Sequence, residues 1–105
     1  MKEKTVVELK QMMDSGVDFK LIDVREPHEF EICNLKGELI PMNEVPEHLD
    51  KIPKDVPVVV HCRSGARSGR IIQFLEMEHG YTNLFNLKGG ILAWADEIDP
   101  SMSKY

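Results

Sequence analysis

The sequence predicts one α/β domain with a mainly parallel sheet and helices on both of its faces. Strand-like and helix-like segments alternate along the chain, which is the pattern that βαβ units produce. The strongest strand signal, at 57–61, contains three consecutive valines, as expected for a strand covered on both faces. A length of 105 residues fits a single domain over 1–105.

The first segment predicts a short helix followed by a buried strand. Thr5 and Glu8 have the spacing of a capping box, which begins a helix, and Gly16 supplies its end. Residues 19–24, FKLIDV, are mostly apolar, and this predicts a buried strand. These two elements begin the alternation of helices and strands.

Weaker signals cover the middle of the chain. Pro27 suits the first turn of a short helix over 27–30. Residues 39–40 predict a brief strand, which a proline closes. Asn43 can cap a further helix that runs to about residue 52.

The valine strand leads through a polar loop at 62–67 to a longer helix. Ser68 is predicted to cap this helix, and Gly80 is predicted to end it. Its inward face is expected to be apolar and to consist of Ile71, Ile72, Phe74, Leu75 and Met77.

The last elements are a short strand at 83–87 and a helix that begins after the turn at Gly89 and Gly90. Trp94 on this helix is expected to pack it against the core. Residues 99–105 are predicted to form a frayed tail.

Composition and charge argue against several classes of function. The chain has no run of about 18 apolar residues, so no transmembrane helix or membrane partner is expected. A net charge of −5 disfavours nucleic-acid binding, which depends on neutralising phosphates. Two cysteines, and histidines without metal-ligand spacing, predict no disulfide framework, no metal and no other cofactor. Without a secretory signal pattern at the N-terminus, the expected location is the reducing cytoplasm.

The loop after the valine strand carries the residues best suited to chemistry. Cys62 stands where that strand ends, and no acidic residue lies between His61 and Leu75. Ligands of parallel sheets bind beyond the carboxyl ends of the strands, where loop and helix N–H groups favour anions. A pKa lowered by about two units would make a cysteine about three-quarters thiolate at neutral pH. We therefore predict that Cys62 is a nucleophile.

The other loop residues are expected to bind the substrate. Gly65 allows a tight turn, and Arg63 and Arg67 carry planar groups suited to an oxyanion. The whole substrate-binding set is Arg63, Ser64, Gly65, Ala66, Arg67 and Ser68. Arg70 is expected to be solvated. The alternative for Cys62 is a buried structural cysteine, but the small, polar and basic residues after it favour the nucleophile.

This loop resembles the active-site loop of the rhodanese family, in which Cys-Arg-x-Gly-x-Arg-Ser is a common form. Residues 21–26, LIDVRE, with Glu29 and Phe30 resemble the family's early Asp-Val-Arg motif, and residues 87–94, LKGGILAW, resemble its late Gly-Gly…Trp motif. The resemblance covers nearly the whole chain. It implies a rhodanese-like three-layer fold with a mainly parallel five-stranded sheet, in which the N-terminal residues supply an edge strand.

The resemblance also implies sulfurtransferase activity of the thiosulfate sulfurtransferase type. Cys62 would attack a small anionic donor such as thiosulfate or a persulfide, hold the sulfur as a persulfide, and pass it to a thiol or cyanide. The runs EICNL at 31–35 and LIPMN at 39–43 resemble rhodanese domains fused to enzymes that adenylylate sulfur carriers. This likeness implies a sulfur-carrier protein or another thiol as acceptor.

Four further residues have alternative roles. In the implied fold, Asp23 and Arg25 lie at the end of a strand beside the loop. They either support the loop or form a surface ion pair that adds little stability, and support is favoured for Asp23. His61 is expected to be packed and hydrogen-bonded rather than a general base. Cys33 is a structural residue or a resolving cysteine, and its apolar neighbours favour the first role.

Two rival functions are open at this point. Cysteine-loop phosphatases and arsenate reductases share the fold type and the His-Cys beginning of the loop, but they place five residues between cysteine and arginine. Four residues separate Cys62 from Arg67, a spacing that favours a sulfur atom over a phosphoryl group. The second rival is a non-catalytic interaction module.

Overall fold

A five-stranded, all-parallel sheet forms the centre of the computed structural model, which describes residues 1–105. The strands are β1 (Glu3–Lys4), β2 (Lys20–Asp23), β3 (Glu38–Leu39), β4 (Val58–His61) and β5 (Leu84–Leu87). Their order in the sheet is β1-β5-β4-β2-β3, so β4 lies at its centre. The predicted α/β class and the implied five-stranded sheet are confirmed, and the N-terminal residues form the edge strand β1 beside β5.

Four α-helices and two 3₁₀ helices connect the strands. The α-helices are α1 (Val6–Ser15), α2 (Pro27–Ile32), α3 (Ala66–His79) and α4 (Gly90–Glu97). The 3₁₀ helices span Met42–Glu47 and Leu49–Lys51. The capping box of Thr5 and Glu8 begins α1, and Gly16 and Gly80 end α1 and α3 with positive φ angles, as predicted. None of the helices is long and apolar enough to span a bilayer.

The consecutive valines of β4 are buried because helices cover both faces of the sheet. Neighbouring side chains of a strand point to opposite faces. Val58 and Val60 belong to one core, which includes Ile72 and Leu75 of α3. Val59 belongs to the other core, with residues of α1 and α4, namely Val6, Leu9 and Trp94. The two helical layers therefore hold the carboxyl end of β4 in a fixed position.

Three predictions about helices are wrong. Residues 43–52 form two short 3₁₀ helices instead of an α-helix. Pro46 lies inside the segment, and a proline disfavours the α conformation of the residue before it, which here is Val45. Met77 was expected on the inward face of α3 but is 81% exposed. Helix α3 begins at Ala66, three residues before the start that a Ser68 cap predicts. The remaining element boundaries agree with the predictions to within about two residues, which is the usual variation at helix and strand ends.

Candidate active site

Cys62 lies directly after the central strand, where the carboxyl ends of three strands meet. In the parallel register, Asp23 of β2 pairs with His61, and Asn86 of β5 pairs with Val60. Cys62 itself is buried. The site predicted from the sequence is therefore at the edge of the sheet where parallel α/β folds bind ligands.

The first turn of α4 holds the beginning of the loop. The N–H groups of Ile91 and Leu92 donate to the carbonyl oxygens of Cys62 and Arg63, at 3.0 and 3.2 Å. Gly90 has a φ of 61°. A Cβ at Gly90 would lie 2.4 Å from the Arg63 carbonyl oxygen, so only glycine permits this approach. The Gly-Gly pair thus brings α4 against the loop, a role that the sequence analysis did not assign.

The Sγ atom of Cys62 is surrounded by hydrogen-bond donors. The N–H groups of Gly65 and Ser68 donate to it at 3.1 and 3.5 Å, and the Ser68 hydroxyl lies 3.3 Å away. Burial raises the pKa of the Cys62 thiol, but hydrogen bonds from Ser68, Gly65 and Ser64 outweigh burial and hold this pKa below its ordinary value. The direction agrees with the prediction, and the causes include the loop N–H groups on which that prediction was based.

Ser68 lies inside α3 and does not cap it. The helix begins at Ala66, after Gly65, whose φ of 111° suits only a residue without a side chain. The Ser68 hydroxyl instead lies between Cys62 and Asn86, and it donates to Asn86 Oδ1 at 2.6 Å. The prediction of a Ser68 cap is wrong because this hydroxyl has buried partners away from the helix end.

Asn86 joins the loop to β5, and the sequence analysis missed it. Its Oδ1 atom accepts the Ser68 hydroxyl, and its Nδ2 atom donates to the Gly65 carbonyl at 3.0 Å. The side chain is buried. A polar residue in a short apolar strand next to the late Gly-Gly motif was the signal available in the sequence.

Arg67 does not present a free guanidinium to the loop. It makes two hydrogen bonds with the carboxylate of Glu29, at 2.7 and 2.9 Å. The hydrogen bonds from Arg67 are the main reason that the pKa of Glu29 falls to about 2. In this arrangement the Arg67 guanidinium is already paired with a carboxylate of α2, and its role in binding an oxyanion stays a prediction.

Asp23 and Arg25 form a fully buried ion pair behind the loop rather than a surface pair. Arg25 Nε lies 2.9 Å from Asp23 Oδ1, and Nη2 lies 2.7 Å from Oδ2. Arg25 also donates to the carbonyl oxygens of Cys33 and Glu29, at 2.8 and 3.3 Å. The pair thus ties the end of β2 to the middle and the C-terminal end of α2, from which Glu29 reaches Arg67.

The C-terminal segment is not frayed, because Tyr105 packs against the site. Its hydroxyl donates to Glu29 Oε2 at 2.8 Å and accepts from Arg25 Nη1 at 2.9 Å. Arg63 donates to the backbone carbonyl oxygen of Tyr105, and its guanidinium carbon lies 5.1 Å from the centre of the Tyr105 ring. Three hydrogen bonds and a cation–π contact with three charged residues explain why the predicted fraying is wrong.

The remaining candidates lie apart from these contacts or are packed. His61 is fully buried, burial lowers its pKa, and its Nε2 atom has no hydrogen-bond partner, so it is a neutral, packed residue. Cys33 and Cys62 are both free thiols, and Arg70 is exposed. No group of three or more His, Cys, Asp or Glu side chains has the arrangement of a metal site.

Known proteins resemble this chain in sequence and in fold. The rhodanese-like domain family matches residues 5–97. The chain is 38% identical over 101 residues to the probable adenylyltransferase/sulfurtransferase MoeZ of Mycobacterium tuberculosis, a match that covers 93% of this chain and 26% of that protein. A sulfurtransferase of Allochromatium vinosum is 42% identical over 88 residues, which cover 83% of this chain and 81% of the relative.

The fold agrees with these matches. The crystal structure of a rhodanese-like domain protein from Staphylococcus aureus superposes with a TM-score of 0.82 and 28% identity, over 100% of this chain and 99% of that one. The chain thus spans nearly the full length of this solved structure and about a quarter of the mycobacterial relative.

Proposed function

This chain belongs to the rhodanese-like family, and we propose that it is a sulfurtransferase that carries a sulfane sulfur on Cys62. The observation that supports this most strongly is the set of donors around Sγ: the N–H groups of Gly65 and Ser68, and the Ser68 hydroxyl. Such donors favour the thiolate, which is the nucleophilic form of cysteine. The sulfurtransferase names of the relatives from Allochromatium and Mycobacterium support the same class of reaction.

The first step loads the enzyme with sulfur. The Cys62 thiolate attacks the outer sulfur of thiosulfate or of another sulfane donor, and a bond forms between Sγ and that sulfur. The sulfur–sulfur bond of the donor breaks, and its electron pair leaves with sulfite or with the donor's thiolate. Cys62 then carries a persulfide whose terminal sulfur is anionic, and the N–H groups of the loop stabilise this charge.

The second step unloads the sulfur. Cyanide or an acceptor thiolate attacks the terminal sulfur, the bond to Sγ breaks, and the electron pair returns to Sγ as the thiolate. The products are thiocyanate or a new persulfide. The same donors that lower the pKa of the Cys62 thiol also make its sulfur a better leaving group.

Arg63 is proposed to attract the anionic donor. Its side chain is exposed and follows Cys62 directly, whereas Arg67 is half-buried and held by two hydrogen bonds to the carboxylate of Glu29. An exposed guanidinium next to the reacting sulfur can attract an incoming anion. For the acceptor, we propose a thiol, or a sulfur-carrier protein, because residues 31–35 and 39–43 resemble rhodanese domains fused to enzymes that adenylylate sulfur carriers.

Phosphoryl transfer is disfavoured for two reasons. Only four residues separate Cys62 from Arg67, and an oxyanion would have to displace Glu29 from Arg67. Misplacement of reacting groups by about 1 Å can cost about a hundredfold in rate. Insertion of one residue after Ala66 should therefore reduce sulfur transfer. Efficient hydrolysis of aryl phosphates by the unmodified protein, without sulfur loading, would favour the phosphatase instead.

The test of the proposal is the formation of thiocyanate from thiosulfate and cyanide. The wild type and Cys33→Ser should be active, and Cys62→Ser should lose activity while it keeps its circular dichroism spectrum and folded state. Cys33→Ser is the matched control because it removes the only other thiol. Activity in Cys62→Ser, or its loss in Cys33→Ser alone, would overturn the assignment. A wild type that accepts sulfur from no donor would favour the interaction module.

A further inference from the structure

The Ser68 hydroxyl has one proton and two potential acceptors. Its oxygen lies 2.6 Å from Asn86 Oδ1 and 3.3 Å from Cys62 Sγ. The orientation of the Asn86 amide is fixed, because its Nδ2 group donates to the Gly65 carbonyl oxygen at 3.0 Å. A flipped amide would place two carbonyl oxygens against each other. Oδ1 therefore faces Ser68 and can only accept.

These distances indicate that the Ser68 hydroxyl donates its hydrogen bond to Asn86 Oδ1 when the cysteine sulfur is uncharged. A neutral sulfur is a weak acceptor, whereas an amide oxygen at 2.6 Å is a strong one. When Sγ becomes a thiolate, it attracts the hydroxyl proton more strongly, because hydrogen bonds to ionised groups are about twice as strong as neutral ones. The backbone N–H groups of Gly65 and Ser68 are fixed, but the hydroxyl can rotate.

We propose that Asn86 is a positioning residue, which holds the Ser68 hydroxyl proton away from Cys62 while the sulfur is neutral and releases it when negative charge develops on Sγ. The part of this proposal that concerns the thiolate is argued from the structure alone. The part that concerns sulfur transfer rests on the proposed function. In that step an acceptor attacks the outer sulfur of the persulfide, and the bond to Sγ breaks with its electron pair on Sγ. The hydroxyl then turns from Asn86 to Sγ and stabilises the departing thiolate.

The charged groups around the site do not compete for this role. Arg67 on α3 is held by Glu29 of α2, and Arg63 contacts the Tyr105 carbonyl. The buried pair of Asp23 and Arg25 is internally matched, and His61 has the lowered pKa of a buried imidazole. Because each of these charges has its own partner, Ser68 is the group beside Sγ whose hydrogen bond can change with the charge of the sulfur.

Asn86→Ala removes the competing acceptor, and this gives a prediction with a definite sign. The Ser68 hydroxyl could then donate to the thiolate, and no buried amide oxygen would lose its hydrogen bond as a result. The pKa of Cys62 should therefore fall by about one unit. Ser68→Ala removes the donor, so the pKa should rise by about one unit. If Asn86 only stiffened the loop through Gly65, its loss would loosen the donors and raise the pKa.

The experiment is a double-mutant cycle on the pKa of Cys62. The wild type, both single variants and the double variant are made in a Cys33→Ser background, and the rate of alkylation by iodoacetamide is followed against pH. In the Ser68→Ala background, Asn86→Ala should shift the pKa by less than about a third of a unit. Asn86→Val, which suits a strand better, is the substitute if the alanine variant does not fold. Single-turnover transfer from the persulfide to cyanide should slow about tenfold in Ser68→Ala.

The outcomes separate this proposal from the proposed function. A rise of the pKa in Asn86→Ala, or the same shift with and without the Ser68 hydroxyl, overturns the role of Asn86. A fall that depends on Ser68 supports it, even in a protein that transfers no sulfur, because alkylation requires only the thiolate. If the alkylation cycle behaves as expected and no sulfur donor loads Cys62, the proposed function is wrong and the Ser68–Asn86 switch is retained.

Discussion

Glu29→Gln should destabilise the protein by about 2–3 kcal/mol at neutral pH, because Glu29 neutralises Arg67 beside the active-site loop. The carboxylate accepts two hydrogen bonds from Arg67 and a third from the Tyr105 hydroxyl, at 2.7, 2.9 and 2.8 Å. Its pKa falls from an ordinary 4.5 to about 2. A pKa shift of this size corresponds to a contribution of about 3 kcal/mol to the free energy of unfolding. Because Arg67 is partly exposed and solvent screens the pair, the expected loss of stability is somewhat smaller.

The pH dependence follows from the direction of the shift. A carboxyl group whose pKa is lowered by folding stabilises the protein fully above the unfolded pKa of about 4.5, and this contribution disappears as the pH falls through the folded pKa of about 2. The difference in stability between wild type and Glu29→Gln should thus be constant near neutral pH and shrink steadily below about pH 4.5.

Urea unfolding measures this difference directly. Both proteins are titrated with urea at a series of pH values from neutral to acidic, with Glu31→Gln as the matched control. Glu31 lies on the same short helix but is exposed, so its substitution should change stability by less than about 0.5 kcal/mol. A loss in Glu29→Gln no larger than in the control, or one that does not change with pH, would refute the reasoning.

Three other substitutions test the packing around the loop by urea unfolding. Gly90→Ala should lower the free energy of unfolding by more than about 2 kcal/mol, because a Cβ would lie 2.4 Å from the Arg63 carbonyl oxygen. Gly16 has a similar φ but open space around it, so Gly16→Ala should cost about 1 kcal/mol, and equal losses would contradict the steric argument. Tyr105→Phe should cost about 1 kcal/mol through its lost hydroxyl contacts, and no change would mean that the tail is loosely held. Arg25→Lys should cost about 3 kcal/mol or more, because an ammonium cannot reproduce the paired contacts with buried Asp23; a neutral effect would contradict the role of that pair.

The fold was largely predictable because its signals are local. The valines of β4 indicate a strand buried on both faces, a capping box and Gly16 mark the two ends of α1, and Gly80 marks the end of α3. The position of Cys62 at the end of β4 was predictable for the same reason, since a strand, a cysteine and a small basic loop are adjacent in the sequence. The segment at 43–52 shows where local signals fail, because the capping signal at Asn43 predicted an α-helix although Pro46 follows three residues later.

The partners of the loop were not predictable, because they lie far away in the sequence. Arg67 contacts Glu29, 38 residues away, and Ser68 contacts Asn86, 18 residues away. Tyr105 reaches Glu29 across 76 residues. No spacing rule for helices or strands relates such positions, so Arg67 appeared free for an oxyanion and Tyr105 appeared to lie in a loose tail. Only the folded sheet, which places β2, β4 and β5 side by side, brings these groups together.

The most direct test of the sulfur-carrier role of Cys62 is the intact mass of the protein after incubation with thiosulfate under non-reducing conditions. The wild type and Cys33→Ser should each gain the mass of one sulfur atom and lose it again on addition of cyanide. Cys62→Ser should gain nothing. An unchanged wild-type mass with thiosulfate and with persulfide donors, or a gain that persists in Cys62→Ser, would contradict the account.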